Sequence, residues 1–357
     1  MPKISILCPS FNHERYVGYF IESVLNQTFK DFELIIVDDC SSDENVKKIQ
    51  AFKDERIKFI QHTYNKGINA ALNTAFENSS GEILLFCASD DILESNALEK
   101  INEAFEKNSC DVLYVGNTRI DENNQILKKK ACPILDKNEK QLVYNLFMVG
   151  NYPISMGMST RREIFNKIYP LHNAFCNQQD TLMHIALLLN GAKVLALDEY
   201  IVCYRVASNH TSISANINVN VARANLEMEI LMQEFLKIDD IDFLENIFAK
   251  EIQITGIRPY KETLKFFLGY MALQSEDKAK KYWGYHKIME FYSDNVNAEL
   301  LKEKYNFTFK DYVKLSALCL GGRYEKKFKK YKKRFIKSIA LNIFLVGIII
   351  AMLLFLR

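Results

Sequence analysis

The chain has 357 residues, 48% of them hydrophobic and 25% charged, which suits one large folded domain with a smaller companion and excludes wholesale disorder. Only 13 glycines and 6 prolines are present, so collagen-like and linker-dominated architectures are excluded as well. Net charge is +2, but nine basic residues against one acidic between Arg323 and Lys337 give that run +8 and Arg357 adds one, so residues 1–322 carry −7. An acidic main body argues against a nucleic-acid partner. The eight cysteines are never closer than 22 positions, which leaves no zinc pattern. No leader-like segment opens the chain, and the expected compartment is intracellular and reducing.

In chain order, Lys3–Cys8 reads as a buried strand ended by Pro9, and residues 14–27 read as a helix with Phe20, Ile21, Val24 and Leu25 on one face. Phe32–Val37 is a continuous apolar strand stopped by Asp38-Asp39. Ser41 and Glu44 have the spacing of a capping box for a helix that runs to Phe52. A strand at Ile57–Gln61, a helix at Ile68–Asn78 and a strand at Ile83–Cys87, ended by Asp90-Asp91, follow. Strands alternating with helices predict an α/β domain with a mostly parallel sheet, and ligands of such sheets sit beyond the carboxyl ends of the strands. Asn12, Asp39 and Asp90-Asp91 each follow a strand end and are predicted to share that crevice. From residue 216 to 322 the pattern is helical, at Ala224–Leu236, Phe243–Ile254, Thr263–Leu273 and Ala279–Phe291.

Tyr324, Phe328, Tyr331 and Phe335 then form one stripe of a basic amphipathic helix at 323–337, suited to an anionic membrane interface. Residues 338–356 are nineteen uncharged positions, roughly 28 Å as a helix at about 1.5 Å per residue, and predict a segment that spans or inserts into a membrane. The basic flank places the main body on the cytoplasmic face of the inner membrane.

No glycine cradle for phosphate follows the first strand, and HExxH and GxSxG are absent. The crevice offers carboxylates instead, and an anionic ligand can join them through a divalent cation. Asp90-Asp91 suits that role, although two aspartates after a strand also make an ordinary turn or helix cap.

Several segments in order resemble the family 2 glycosyltransferases: Pro9-Ser10-Phe11-Asn12, Glu22 to Thr28, Phe32 to Asp43, Asn65-Lys66-Gly67, Ala70 to Ala75, Gly81-Glu82 and Ser89-Asp90-Asp91. The resemblance covers residues 1–215. It implies a GT-A fold, a UDP-sugar donor, Mn²⁺ or Mg²⁺ as cofactor, and an inverting displacement. By that resemblance Pro9, Phe11 and Asn12 line the nucleotide pocket and Asp39 binds the base. Lys66, Asn73 and Ser89 belong to the diphosphate and sugar region. Asp90 matches the metal-binding aspartate of the DxD motif, with Ala88 at the first acidic position, and Asp91 either joins the metal shell or caps a helix. An inverting transferase needs one base for the acceptor hydroxyl. The family's Glu-Asp pair is matched by Gln179-Asp180, so Asp180 is the implied base, with an N-cap as its other use. Arg205 and His210, in the segment after the last core strand, are implied near the diphosphate and the metal. His184 reads as a satisfied core residue.

The implied activity is transfer of a hexose or N-acetylhexosamine, glucose or N-acetylglucosamine favoured, to a membrane-presented glycan. The acceptor candidates are polyprenyl-diphosphate-linked oligosaccharide, lipooligosaccharide and capsule glycan. The branch-sugar transferases of bacterial N-glycan assembly are the narrower resemblance. A catalytically silent GT-A scaffold that binds nucleotide-sugar is the alternative that Ala88 and Gln179 leave open.

Overall fold

A computed structural model gives the fold and describes residues 1–151, 153, 155–206 and 218–319. His210, the basic run at 323–337 and the apolar segment at 338–356 lie outside the described residues. The chain divides into two compact units, one from Met1 to Leu264 and a second from Lys265 onward.

The first unit contains β1 (Ile4–Ser10), α1 (Val17–Leu25), β2 (Phe32–Asp38), α2 (Asn45–Gln50), β3 (Ile57–Gln61), α3 (Ile68–Glu77), β4 (Ile83–Phe86), β5 (Ile92–Leu93) and α4 (Ala97–Lys107). It continues with β6 (Val112–Ile120), β7 (Ile126–Lys130), α5 (Glu139–Met148), β8 (Ser159–Arg161), α6 (Arg162–Asn166), α7 (Gln179–Leu189) and β9 (Val194–Arg205). Three more helices, α8 (Asn218–Gln233), α9 (Ile241–Ile247) and α10 (Ala249–Thr255), complete it. Its sheet runs β3-β2-β1-β4-β8-β6-β9-β5, with β7 added to β6. Strands β3, β2, β1 and β4 are mutually parallel, and β8 joins β4 and β6 in antiparallel fashion.

Strands β1, β2 and β4 are largely apolar on both faces because both faces are covered, whereas β3, at the sheet edge, exposes Lys58 and Gln61. Ile4, Ile6, Cys8, Leu34, Ile36, Ile83 and Leu85 pack with Phe20, Ile21 and Val24 of α1 and Leu98 and Ile101 of α4. On the other face α3 lies over β1 and β2, and its Phe76 meets Phe165 of α6 edge-on, with ring centroids 4.9 Å apart. The long pairing of β6 with β9 shifts register around Gly116, where a Cβ would come within 2.7 Å of the Lys130 carbonyl oxygen.

Helices α8 to α10 belong to this unit and not to a separate helical region beginning at 216. The reason is aromatic packing: Phe147 of α5 meets Phe235 and Phe248 edge-on, both at 4.9 Å. The Tyr144 hydroxyl also donates to Glu251 at 2.7 Å. The second unit is helical, with α11 (Leu264–Leu273), α12 (Lys278–Tyr292), α13 (Asn295–Tyr305) and α14 (Phe309–Cys319). There α11 and α12 cross at a glycine pair, since a Cβ on Gly269 would lie 2.8 Å from the Gly284 carbonyl oxygen. Next to that crossing Trp283, the chain's single tryptophan, is 1% exposed. Among the described residues no helix is long and apolar enough to cross a membrane.

Candidate active site

Because β1, β2 and β4 are parallel neighbours, their carboxyl ends open on one edge and bring Asn12, Asp39 and Asp90 to it, in line with the sequence pattern. Asn12 adopts a left-handed φ of 54°, which asparagine tolerates better than most side chains. Its backbone N–H donates to Ser41 Oγ at 2.9 Å, and its Oδ1 accepts from the Ser42 N–H at 2.8 Å. Ser41 is therefore a latch between the loops after β1 and β2, not the N-cap of α2, which begins at Asn45. Asp38 is fully buried and organises the same turn, accepting from the Ser41 N–H at 2.9 Å and from Asn45 Nδ2 at 2.8 Å. Beside these latches the Phe11 ring stays 43% exposed.

Asp39 is buried and strongly held. Its Oδ1 accepts from His62 Nδ1 at 2.7 Å and from the Lys66 N–H at 2.8 Å, and its Oδ2 accepts from the Gly67 N–H at 2.8 Å. With about two acceptor positions per carboxylate oxygen, one position on Oδ2 remains for a ligand N–H. His62, a residue that the sequence did not flag, continues through Nε2 to Thr74 Oγ1 at 3.0 Å. The Lys66 side chain is exposed and lies over the Tyr64 ring, 5.4 Å from its centroid.

At the end of β4, Ser89 is buried, its Oγ 2.8 Å from both Ser10 Oγ and His13 Nδ1, so it supports the loop from beneath. Asp90 keeps a carboxylate 27% exposed, with His13 Nδ1 3.8 Å from its Oδ1. Asp91 is 1% exposed; its Oδ1 accepts from the Arg205 N–H at 3.0 Å, and its Oδ2 is buried without a hydrogen-bond partner. Burial, and then the neighbouring Asp90 charge, hold the Asp91 carboxyl well above the usual carboxylate range. Asp91 caps no helix, because the two-residue strand β5 follows it. The orphaned Asp91 oxygen beside the Asp90 carboxylate is the donor set that a hard divalent cation favours, and such a cation takes its other ligands from water and phosphate oxygens. Among the described residues no group of three or more His, Cys, Asp or Glu side chains surrounds such a position.

Two implied contacts turn out to be structural. Arg205 is 3% exposed, and its guanidinium donates to the Asp90 carbonyl at 2.8 Å, the Asp121 carbonyl at 2.6 Å and Asn124 Oδ1 at 2.7 Å, over the Tyr16 ring at 4.2 Å. It pins the Asp90-Asp91 loop to the β6–β7 turn and is not presented to a diphosphate. Asn73 is likewise buried. It donates to the Leu171 carbonyl at 2.9 Å and Asn173 Oδ1 at 3.0 Å, and accepts from the Leu171 N–H at 2.8 Å. Its amide ties α3 to the segment that leads into α7.

Asp180 lies in the first turn of α7, where the helix dipole favours a negative charge, while Gln178 occupies the N-cap. Its Oδ1 accepts from the Thr181 N–H at 2.8 Å, and its Oδ2 from Asn151 Nδ2 at 3.1 Å and Ser155 Oγ at 3.2 Å. The loop that carries Ser155 is fastened to the end of β4, through Gly157 N–H to the Phe86 carbonyl at 3.2 Å and Phe86 N–H to the Met158 carbonyl at 3.0 Å. Asp180 and Asp90-Asp91 are therefore anchored on the same strand terminus. The N–H groups of Cys176, Asn177 and Gln178 are closed by the Glu227 carboxylate from α8, at 2.7–3.0 Å. Gln179, at the place of the family's acid, leaves its Oε1 buried without a partner. His13, His62, Ser155 and Glu227 escaped the sequence reading because Ser89, Asp39, Asp180 and Cys176, which they respectively meet, lie 23 to 76 positions away. The one signal was that His62 follows the end of β3 as Asp39 follows that of β2.

A sequence profile described as glycosyl transferase family 2 matches residues 5–169. A β-1,3-glucosyltransferase of Escherichia coli named for transfer from UDP-Glc to α-D-GlcNAc-diphosphoundecaprenol (WfgD) is 32% identical over 213 residues, 60% of this chain and 80% of that one. The GalNAc(5)-diNAcBac-PP-undecaprenol β-1,3-glucosyltransferase of Campylobacter jejuni is 34% identical over 143 residues, 39% of this chain and 46% of that one. Among solved structures, Staphylococcus aureus TarS residues 1–349, crystallised with UDP-GlcNAc, superposes with a TM-score of 0.58 at 18% identity, over 85% of this chain and 91% of that one. That likeness identifies the sheet and its crevice as the GT-A arrangement, with helices after it. Matched along four-fifths of a curated relative at this identity, and by the family profile over the domain that bears the aspartates, the chain belongs to the family 2 glycosyltransferases.

Proposed function

We propose that the chain transfers a hexose, glucose as the favoured case, from UDP to a hydroxyl of a polyprenyl-diphosphate-linked glycan, with inversion at the anomeric carbon. The observation that carries this reading is the common anchorage of Asp180 and Asp90-Asp91 at the end of β4, which suits an acceptor hydroxyl and a donor sugar brought together there. The acceptors for which the Escherichia coli and Campylobacter jejuni relatives are named, both undecaprenyl diphosphates, and their shared β-1,3-glucosyl transfer support the substrate class.

In this reading the remaining acceptor position of Asp39 receives the base N–H and Phe11 stacks on the ring. Pro9 and Asn12 shape the pocket wall, and Lys66 lies toward the diphosphate. Asp180 accepts the proton of the acceptor hydroxyl as its oxygen bonds to the anomeric carbon and the bond to UDP breaks. Asp90 and Asp91 would hold a divalent cation, which offsets the negative charge that grows on a departing diphosphate. The 323–337 run and the 338–356 segment would hold the enzyme to the cytoplasmic face of the membrane, where a lipid-linked acceptor is locally concentrated.

The test measures UDP binding by calorimetry with and without Mn²⁺, and transfer from UDP-glucose and UDP-GlcNAc to GlcNAc-diphosphoundecaprenol. Asp90→Asn is expected to abolish the metal-dependent part of UDP binding. Asp180→Asn is expected to lower kcat by about 10²–10⁴-fold, the span of general-base contributions, with UDP affinity unchanged. Transfer at the wild-type rate by Asp180→Asn would sink the assignment of the base.

A further inference from the structure

Asp180 is the visible end of a longer polar chain. Ser155 Oγ lies 3.2 Å from Asp180 Oδ2 and 3.3 Å from His184 Nε2, and His184 Nδ1 lies 2.7 Å from the Tyr114 hydroxyl. His184 and Tyr114 are 0% and 2% exposed, on α7 and on β6 of the central sheet. The hydrogens can be placed by elimination. An ionised carboxylate only accepts, so the Ser155 O–H donates to Asp180. Ser155 Oγ then accepts from His184 Nε2–H, which leaves Nδ1 bare to accept from the Tyr114 O–H. Every link points toward Asp180.

The same census distinguishes the two oxygens of Asp180. Oδ2 is occupied by Ser155 and Asn151. Oδ1 holds the Thr181 N–H at 2.8 Å; the single Thr181 hydroxyl hydrogen goes to Gln178 Oε1 at 2.8 Å and not to Oδ1 at 3.4 Å. We propose that Tyr114, His184 and Ser155 are positioning residues of the transfer reaction: a one-way hydrogen-bond chain that clamps Asp180 by Oδ2 and thereby makes Oδ1 the atom that takes the acceptor proton. The proposal rests on Asp180 as the base. Burial that pushes the His184 imidazole down to about 4 agrees with it, since a neutral ring is what this pattern of donors requires.

The experiment uses the full chain with UDP-glucose and GlcNAc-diphosphoundecaprenol. Ser155→Ala and His184→Met are expected to lower kcat about tenfold, the loss of one hydrogen bond to a charged group, and to change KM for UDP-glucose by less than about twofold. Ser155→Thr and His184→Gln, which keep a hydroxyl at the first place and a donor at the second, are expected to recover most of that loss. Wild-type kcat in Ser155→Ala, with Asp180→Asn inactive, overturns the chain and leaves the base standing. Full activity in Asp180→Asn removes both. A readout independent of turnover comes from ¹⁵N shifts of the six histidines, with His184 assigned through His184→Gln. A bare Nδ1 and a protonated Nε2 are expected at pH 7, and a proton on Nδ1 overturns the proposal whatever the activity.

Discussion

His184 has no water in which to carry a charge. Its imidazole is pushed from an ordinary value of 6.5 to about 4, first by burial, with Asp180 pulling partly the other way and Tyr114 facing its second nitrogen. A folded value below the unfolded one means that the unfolded chain binds the extra proton, so the stability is intact above about pH 6.5 and is lost as pH falls toward 4. Two to three pH units correspond to on the order of 3 kcal/mol. Urea unfolding at pH 7 and pH 4.5 should therefore show a steeper loss in the wild type than in His184→Gln, and equal losses would contradict the assignment of a neutral buried ring. Asp180, Asp39 and Asp90 were each legible in the sequence because a strand end or a helix start marks them. What the sequence could not carry is the difference between a side chain that faces a ligand and one that holds the site together. Arg205 and Asn73 look like ligand contacts by position, yet their polar atoms are used by Asp121, Asn124, Leu171 and Asn173, which lie 81 to 100 positions away.

Among the elements, the central parallel strands were legible because two covered faces demand apolar runs, and β1, β2 and β4 fall where those runs lie, while β3 at the edge interleaves the exposed Lys58 and Gln61. The boundary of the helical region was not, because it depends on Phe147 of α5 meeting Phe235, just after α8, and Phe248, between α9 and α10. Arg205 is the clearest case of one side chain joining elements: from the end of β9 it serves the loop after β4, the β6–β7 turn and the ring of Tyr16. Arg205→Ala should be strongly destabilising, with a cost of about 1–3 kcal/mol for each buried acceptor left without its donor. Arg205→Lys should recover less than half of it, since an ammonium cannot serve three acceptors in a plane while stacking on a ring. Urea midpoints, with proteolysis at Asp121–Gln125 as the local readout, test this. In the second unit Gly284→Ala should cost about 1–3 kcal/mol by overpacking, because the new methyl falls on the Gly269 carbonyl of the facing helix. A wild-type urea midpoint for that variant would contradict so close a crossing of α11 and α12.

For the whole molecule the charge distribution sets the expectation. A body of −7 with a +8 run and an apolar segment behind it should bind an anionic bilayer only through its end. The full chain is expected to sediment with phosphatidylglycerol vesicles and the chain ending at residue 322 to remain in the supernatant. Sedimentation of the shorter chain would move the membrane contact to the body.

Trp283 gives the molecule a property of another kind. Indole emission from this protein arises from one buried ring in the second unit, so fluorescence follows that unit alone, whereas far-ultraviolet dichroism draws mostly on the first unit, which holds the greater share of the helix and all nine strands among the described residues. A melt followed by both signals therefore resolves the two units without any label. An emission change on adding UDP would show that donor binding at the strand ends of the first unit is felt in a helical unit that contains none of the proposed donor-binding residues.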